Sequence, residues 1–238
     1  MATTFITLVN DTLRRLNEVE LTSTDFPTAT GFRAQVKDSV NASLQEISQK
    51  EFEFPFNYTS ASITLSAGTA EYSLATDFKV ADWDSFRIAK DDSISADVRL
   101  LRLINYDTFI ARFYERDGNA TSSDFSNPVY IYRTLSNKAG FSPIPDKAYT
   151  VNYNYFAFAN DLVNDTDTMS VPDQFKHVVI DGALYHTYMF RDNAQQAAIT
   201  KQKFEEGIER MRTLLINRFT DIRDTRVGRL IAVPHGSF

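Results

Sequence analysis

The sequence contains no cysteine, and this absence excludes three kinds of chemistry. Without cysteine, the 238-residue chain has no disulfide framework, no thiolate metal ligands and no cysteine nucleophile. A fold of this size buries about 70–75% of its unfolded surface, so it needs no crosslinks to stabilise a core. We therefore expect an ordinary hydrophobic core, and the composition fits a reducing compartment.

Long apolar runs and glycine-rich loops are also missing. No stretch approaches the ~20 apolar residues of a membrane span, and residues 1–15 lack the basic and apolar regions of a secretion signal. The eight glycines are scattered and form neither a G-x-G-x-x-G nor a Walker-type motif. We expect a soluble protein with no membrane partner and no cofactor.

Histidine is scarce and poorly placed for metal binding. Two of the three histidines, His177 and His186, lie nine residues apart on one predicted helix. A rotation of about 100° per residue turns them to opposite faces. The third, His235, lies near the end of the chain. We expect no metal site, and we interpret His186 as a residue at the edge of the core.

Two groups of carboxylates are the remaining signs of catalysis or metal binding. Asp161, Asp165 and Asp167 alternate as calcium ligands do, but their loop lacks the glycine and glutamate of an EF-hand, so a solvated turn is favoured. Asp82 and Asp84 flank the only tryptophan. On a strand they share the face opposite the indole, which favours edge-strand charge over a joint site. We expect no catalytic residues and no enzyme.

Charge is distributed unevenly along the chain. The net charge is −6, but residues 209–238 carry six arginines against three acidic residues, a local charge of +3 that leaves −9 for the rest. Arginines near a helix end can simply complement its dipole, and this alternative holds as far as Arg218. Beyond Arg223 the basic segment predicts a partner with a negative surface, either nucleic acid or another protein.

Hydrophobic periodicity predicts helices near both ends of the chain. Apolar residues recur at three- and four-residue spacing in residues 5–16, 32–47, 175–189 and 197–215. Between these segments the period changes from 3.6 to 2, most clearly in residues 61–66 and 149–155. This alternation predicts an antiparallel sheet or small sandwich.

The third predicted helix has the most legible start signal. Ser170 can cap it, Pro172 fits the first helical turn, and Asp173 places negative charge at the positive end of the dipole. Gly182 and Ala183 keep the centre of its apolar stripe small, so we expect another element to pack closely there. Asp192 or Asn193 is expected to cap the next helix.

These patterns predict an α+β fold. A helical bundle is built from the N-terminal and C-terminal helices, and an antiparallel β domain is inserted between them. Residues 1–56 and 169–218 form the bundle, and residues 57–168 form the β domain. Residues 219–238 form a basic C-terminal arm.

Tyrosine provides the candidate contact surface. The chain has eleven tyrosines, a residue suited to surfaces that are half buried and half wet. Tyr130, Tyr132, Tyr153 and Tyr155 are the candidates for a subunit or tail interface. The sheet has too few lysines and arginines between them to form a base-stacking platform.

Three segments carry a family resemblance. They are GTAEYSLATDF (68–78), FSPIPDKAYTVNYNY (141–155) and VPDQFKHVVIDGALY (171–185). After an N-terminal helical pair, their order resembles the head-to-tail adaptors of short-tailed and related phages, also called tail tubular protein A or gatekeeper-type connectors. The resemblance covers most of the chain, although Ala75 stands where a proline is common.

The resemblance implies a structural protein of the virion neck, assembled in the host cytoplasm. Subunits would form a twelvefold ring below the portal, continue the double-stranded DNA channel, and meet a tail nozzle or tail tube protein. The arm would dock on the portal through Arg218, Arg223, Arg226, Arg229, Leu230, Ile231, Val233 and Phe238.

Two other functions remain open from the sequence. An independent DNA-binding protein would use the arginine-rich tail, but the rest of the chain is acidic. A carboxylate-dependent hydrolase would use Asp82 or the carboxylates of residues 161–167, and it would need raised carboxyl pKa values in a pocket.

Overall fold

A computed structural model describes residues 3–51, 53–89 and 98–216. The helices are α1 (Phe5–Arg15), α2 (Phe32–Lys50), α3 (Tyr106–Arg112), α4 (Tyr114–Gly118), α5 (Lys176–Phe190) and α6 (Ala194–Leu215). The strands are β1 (Tyr58–Leu65), β2 (Glu71–Tyr72), β3 (Phe78–Ala89), β4 (Val98–Leu100), β5 (Arg102–Ile104), β6 (Tyr130–Arg133), β7 (Ala139–Ser142) and β8 (Tyr149–Ala157). The predicted α+β class is confirmed.

The strands form two four-stranded sheets that share one core. The first sheet has the order β1-β8-β3-β4 and is antiparallel throughout, and the second has the order β2-β7-β6-β5. Buried residues from both sheets, including Val151 and Phe141, belong to one hydrophobic cluster. The β region is therefore a small sandwich, as the alternation of residues predicted.

One strand pair departs from the antiparallel prediction. β5 and β6 run parallel, with Leu103 opposite Ile131. A parallel pair needs a connection that returns the chain to the same end of the sheet, and the segment containing α3 and α4 provides it. α3 then covers the outer face of the second sheet, because Phe109 stacks on Tyr132 with ring centroids 3.8 Å apart.

The helices from the two ends of the chain form one bundle around α5. This helix contacts α1, α2 and α6. Three helices come close together at Gly182, where an added Cβ would lie 2.2 Å from Ser43 Oγ and 2.7 Å from Phe204 Cε2. Ser43 Oγ donates a 2.9 Å hydrogen bond to the Val179 carbonyl, which fixes α2 against α5. The predicted close packing at Gly182 is confirmed.

The start of α5 differs from its prediction. Residues Asp173–Phe175 form a separate 3₁₀ turn, and α5 begins at Lys176. The carboxylate of Asp173 accepts a 2.8 Å hydrogen bond from the Thr3 amide. The apolar stripe also ends earlier than predicted, because Met189 is 56% exposed. The cap of α6 is confirmed, since the Asn193 side chain accepts from the Gln196 amide.

The N-terminal segment is bonded to the segment that enters α5. The Phe5 amide donates to the Asp167 carbonyl at 2.7 Å, and Thr4 forms an isolated antiparallel bridge with Thr168. Asn41 of α2 both donates to and accepts from the backbone of Leu162, with both distances 3.0 Å. These hydrogen bonds hold the segment that connects the sandwich to α5 against α1 and α2.

The buried apolar side chains form two separate hydrophobic clusters. One contains residues of 5–54 and 162–211, and the other contains residues of 63–155. The domain limits at 56, 168 and 218 stay predictions, and the C-terminal arm lies outside the described residues.

Candidate assembly surfaces

The carboxylates near residue 165 hold a turn together. Asp167 accepts hydrogen bonds from the amides of Val163 and Asn164 at 2.8 and 2.7 Å, and these backbone bonds hold its carboxyl pKa below the ordinary value. Asp161 accepts from Gln45 of α2 at 2.5 Å. In the described parts of the chain, no three His, Cys, Asp or Glu residues group as metal ligands.

The residues around the tryptophan are engaged separately. The Trp83 ring stacks on Phe86 at 5.4 Å, while Asp82 accepts a 2.8 Å hydrogen bond from Tyr58 and Asp84 is exposed. The pKa of Tyr58 is raised, first by burial and then by its bond to Asp82. The bond between Tyr58 and Asp82 links β1 to β3 across β8, and the arrangement does not bring Asp82 and Asp84 together as a paired acid and base.

The two helical histidines occupy different environments. His177 is exposed, whereas His186 Nε2 lies 3.3 Å from Glu46 Oε2 between α5 and α2. Burial lowers the pKa of His186, and the neighbouring carboxylate opposes that shift. His186 thus lies at the edge of the core.

Three of the four candidate interface tyrosines lie inside the subunit. Tyr132, Tyr153 and Tyr155 are only 2–5% exposed. The Tyr153 hydroxyl accepts from the Ala75 amide at 2.9 Å, and burial together with Asp77 raises the pKa of Tyr155 to about 12. All three side chains are buried within the subunit, so these tyrosines are core residues. The hydroxyls of Tyr153 and Tyr155 are hydrogen-bonded there. Tyr130, which is partly exposed, stays an interface candidate.

The polar residues of β8, which alternate with its buried tyrosines and valine, form an open surface. Asn152 and Asn154 are paired with Ser62 and Ser60 of β1, and all but the partly buried Asn154 are exposed. Tyr58 joins this face at its end, where its hydroxyl bonds both Asp82 and Asn154. We call this uncovered outer side of the first sheet the open face.

The alternation in β8 predicted one buried and one wet face, but the contact surface was assigned to its tyrosines and not to the polar residues between them. From residue 149 to residue 155, tyrosine or valine alternates with threonine or asparagine. The alternation identified two faces, and the larger apolar area of tyrosine should have assigned it to the core. The polar residues between the tyrosines therefore form the accessible surface.

The C-terminal end of α6 lies beside the C-terminal end of α2. Arg212 Nε is 2.9 Å from Glu51 Oε2, and Lys50 Nζ is 3.4 Å from Glu205 Oε1. α6 buries only a narrow stripe that includes Phe204 and Met211, and its remaining residues are largely exposed. The chain therefore leaves the described structure next to the segment that leads into β1.

The predicted arm residues cannot be placed on this geometry. Arg218, Arg223, Arg226, Arg229, Leu230, Ile231, Val233 and Phe238 all lie outside the described residues. Their role on the portal stays a prediction.

The described structure offers contact surfaces rather than a convergent catalytic group. It combines an open sheet face, a largely exposed helix and a long edge strand. None of its helices is both long and apolar enough to cross a bilayer.

Comparison with known families gives the class of protein. Residues 3–230 match the model of the SU10 adaptor protein family, and the chain belongs to this family. The protein is thus a phage adaptor of structural type, and the resemblance stated from the sequence is confirmed. The family implies a non-enzymatic role and points to the neck of the virion. No curated protein matches the chain.

Proposed function

We propose that this adaptor forms a ring, twelvefold by its resemblance, that docks on the portal and continues the DNA channel toward a tail nozzle or tail tube protein. The observation that carries the proposal is the family match across residues 3–230. The acidic body fits a conduit, because phosphates are repelled by like charge and DNA passes without adhering.

The proposal assigns different contacts to different parts of the subunit. The largely exposed surface of α6 faces a neighbouring subunit or the channel. The open face and Tyr130 contact a neighbour or a tail protein. The arginines and apolar residues of the arm dock on the portal, because a segment too small to form its own core can bury its apolar residues on a partner.

The test uses the portal protein of the same phage. Removal of residues 223–238 should abolish portal binding in sedimentation and remove the stacked rings from electron micrographs. The shortened chain should still unfold cooperatively, because the described bundle core ends before residue 217. Retained binding by the shortened chain would contradict portal docking by the arm.

A matched control tests whether portal binding depends on the arginines of the arm or only on the net charge of the chain. The variants Arg102→Ala, Arg112→Ala and Arg133→Ala together remove three exposed arginines from the sandwich and its covering helix. This triple variant should bind the portal normally, whereas Arg223→Ala, Arg226→Ala and Arg229→Ala together should weaken binding. Equal losses in both would indicate a nonspecific charge effect. Micromolar binding to duplex DNA that falls steeply with salt would favour the DNA-binding alternative.

A further inference from the structure

β1 is an unusually unprotected edge strand. It is eight residues long, whereas the other three sheet edges, β2, β4 and β5, have two or three residues each. Its sequence, YTSASITL, has no charged residue and no proline, and its register with β8 is unbroken. Proteins normally shorten, charge or bend their edge strands because an open edge recruits other strands.

The outer side of this edge is available for pairing. Among the described strands, β8 is the only neighbour of β1 in the sheet. From Thr59 to Leu65, no backbone group bonds to any described residue other than those of β8. Thr59, Ser60, Ser62 and Thr64 are exposed. An added strand would complete the ladder and cover these positions.

The chain leaves the described structure close to this edge. The ion pair between Arg212 and Glu51 places the end of α6 beside the end of α2, seven residues before Tyr58. Residues 217–238 follow. From Ile216 the chain needs 13 residues to reach Arg229, and an extended segment of that length spans up to about 45 Å. The eight residues of β1 span about 27 Å, so the distal part of the chain can reach them.

The distal part contains one run suited to a strand. Arg229 to Val233 reads RLIAV, and it is bounded by Gly228 and Pro234. A short apolar run with β-branched residues between turn formers is the pattern of a strand. A tethered segment also acts at a high effective concentration on a site near its attachment point. These observations favour the chain's own segment as the occupant.

We propose that residues 229–233 add to the free edge of β1 in their own subunit, and that the portal takes over this segment during assembly. The transfer of this segment to the portal rests on the proposed function. In the free subunit the added strand covers the edge that would otherwise pair with a second copy. It also withholds the arm until a portal is present, so that adaptors join the portal instead of joining each other.

The absence of cysteine allows a direct test in the full chain. Ser62→Cys is combined in turn with Leu230→Cys, Ile231→Cys, Ala232→Cys and Val233→Cys. An added strand presents alternate residues to the face of Ser62, so two alternate variants should form an intramolecular disulfide and the two between them should not. Disulfides within one chain are read from the mobility of the monomer without reductant.

The control places the cysteine one strand further away. Asn152 lies opposite Ser62 on β8 and is also exposed. Because strands are about 4.8 Å apart, an added strand would lie about 10 Å from β8, beyond disulfide reach. Asn152→Cys should therefore crosslink with none of the four arm cysteines. Equal crosslinking from Ser62→Cys and Asn152→Cys, or disulfides only between chains, would overturn the proposal.

A second measurement does not depend on disulfide geometry. The amides of residues 230–233 should exchange with solvent on the order of tenfold more slowly in the free wild-type chain than in Ser60→Lys/Ser62→Lys, because charge on an edge discourages strand addition. The double variant should also dock faster on the portal. Equal exchange rates would count against strand addition. Alternating crosslinks without any arm-dependent portal binding would leave the strand addition standing and refute portal docking alone.

Discussion

The substitution Gly182→Ala tests whether the bundle depends on close contact among three helices. In α5 an added methyl group would lie 2.2 Å from Ser43 Oγ and less than 3 Å from two ring carbons of Phe204. Ser43 and Phe204 are fully buried, so neither side chain can move into solvent. Alanine at this position must therefore displace the side chains of both neighbouring helices.

The expected cost follows from three opposing effects. Alanine favours a helix over glycine by about 1 kcal/mol. Overpacking a core costs about 1–3 kcal/mol. Rotating the Ser43 hydroxyl away from the Val179 carbonyl leaves a buried polar group unpaired, which costs about 1–3 kcal/mol more. The net loss in the free energy of unfolding is then about 1–5 kcal/mol, centred on about 3 kcal/mol, and the central value corresponds to a decrease in Tm of roughly 6–12 °C for a chain of this size.

Urea unfolding and calorimetry would measure this loss. Gly118→Ala is the matched control, because a Cβ at Gly118 meets no atom within 4 Å, and its stability should be unchanged or slightly higher. Ser43→Ala removes the clashing oxygen, so the double variant with Gly182→Ala should be more stable than the sum of the single effects by about 1 kcal/mol. A Gly182→Ala protein within about 0.5 kcal/mol of wild type would refute the reasoning.

Two further predictions follow from buried and bonded side chains. Tyr153→Phe removes the acceptor of the Ala75 amide, so the free energy of unfolding should fall by about 1–2 kcal/mol in urea titrations, and an unchanged value would mean that this bond contributes nothing. Asp167 has a folded pKa held below its unfolded value of about 4 by the amides of Asn164 and Val163, so its stabilising effect is present above pH 4 and is lost as pH falls through the lowered pKa. Asp167→Asn should therefore show a weaker loss of stability between pH 5 and 2 than wild type, and superimposable acid titrations would contradict this role.

The helical part of the fold was predictable because its signals are local. Residues 5–16 and 32–47 repeat at helical spacing, and the same spacing places their apolar side chains in the bundle core. The close packing at Gly182 was also predictable, because a glycine and an alanine in the middle of an apolar stripe leave room for a neighbouring element. What a sequence does not provide is the partner, here Ser43 and Phe204 from two other helices.

The errors came from contacts distant in the sequence. The helix predicted to start at Pro172 begins instead at Lys176, after a 3₁₀ turn, and the Asp173 carboxylate accepts a hydrogen bond from the Thr3 amide, 170 residues away in the sequence. β7 was not predicted, because AGFS has no alternating pattern. Its Gly140 is instead fixed by the Tyr132 ring, which an added Cβ would approach to 2.3 Å. Three of the four candidate tyrosines are buried, because a tyrosine ring can pack in a core while its hydroxyl is hydrogen-bonded there, and Tyr130 stays a candidate.

The division of the buried side chains has a consequence for synthesis on the ribosome. The cluster that unites residues 5–54 with residues 162–211 cannot close until the later set has been translated. At 5–20 residues per second, the stretch between residues 54 and 211 takes roughly 8–30 s to make. During that time the sandwich can already mature outside the exit tunnel, while the nascent N-terminal helices wait with their apolar stripes uncovered and open to capture by chaperones.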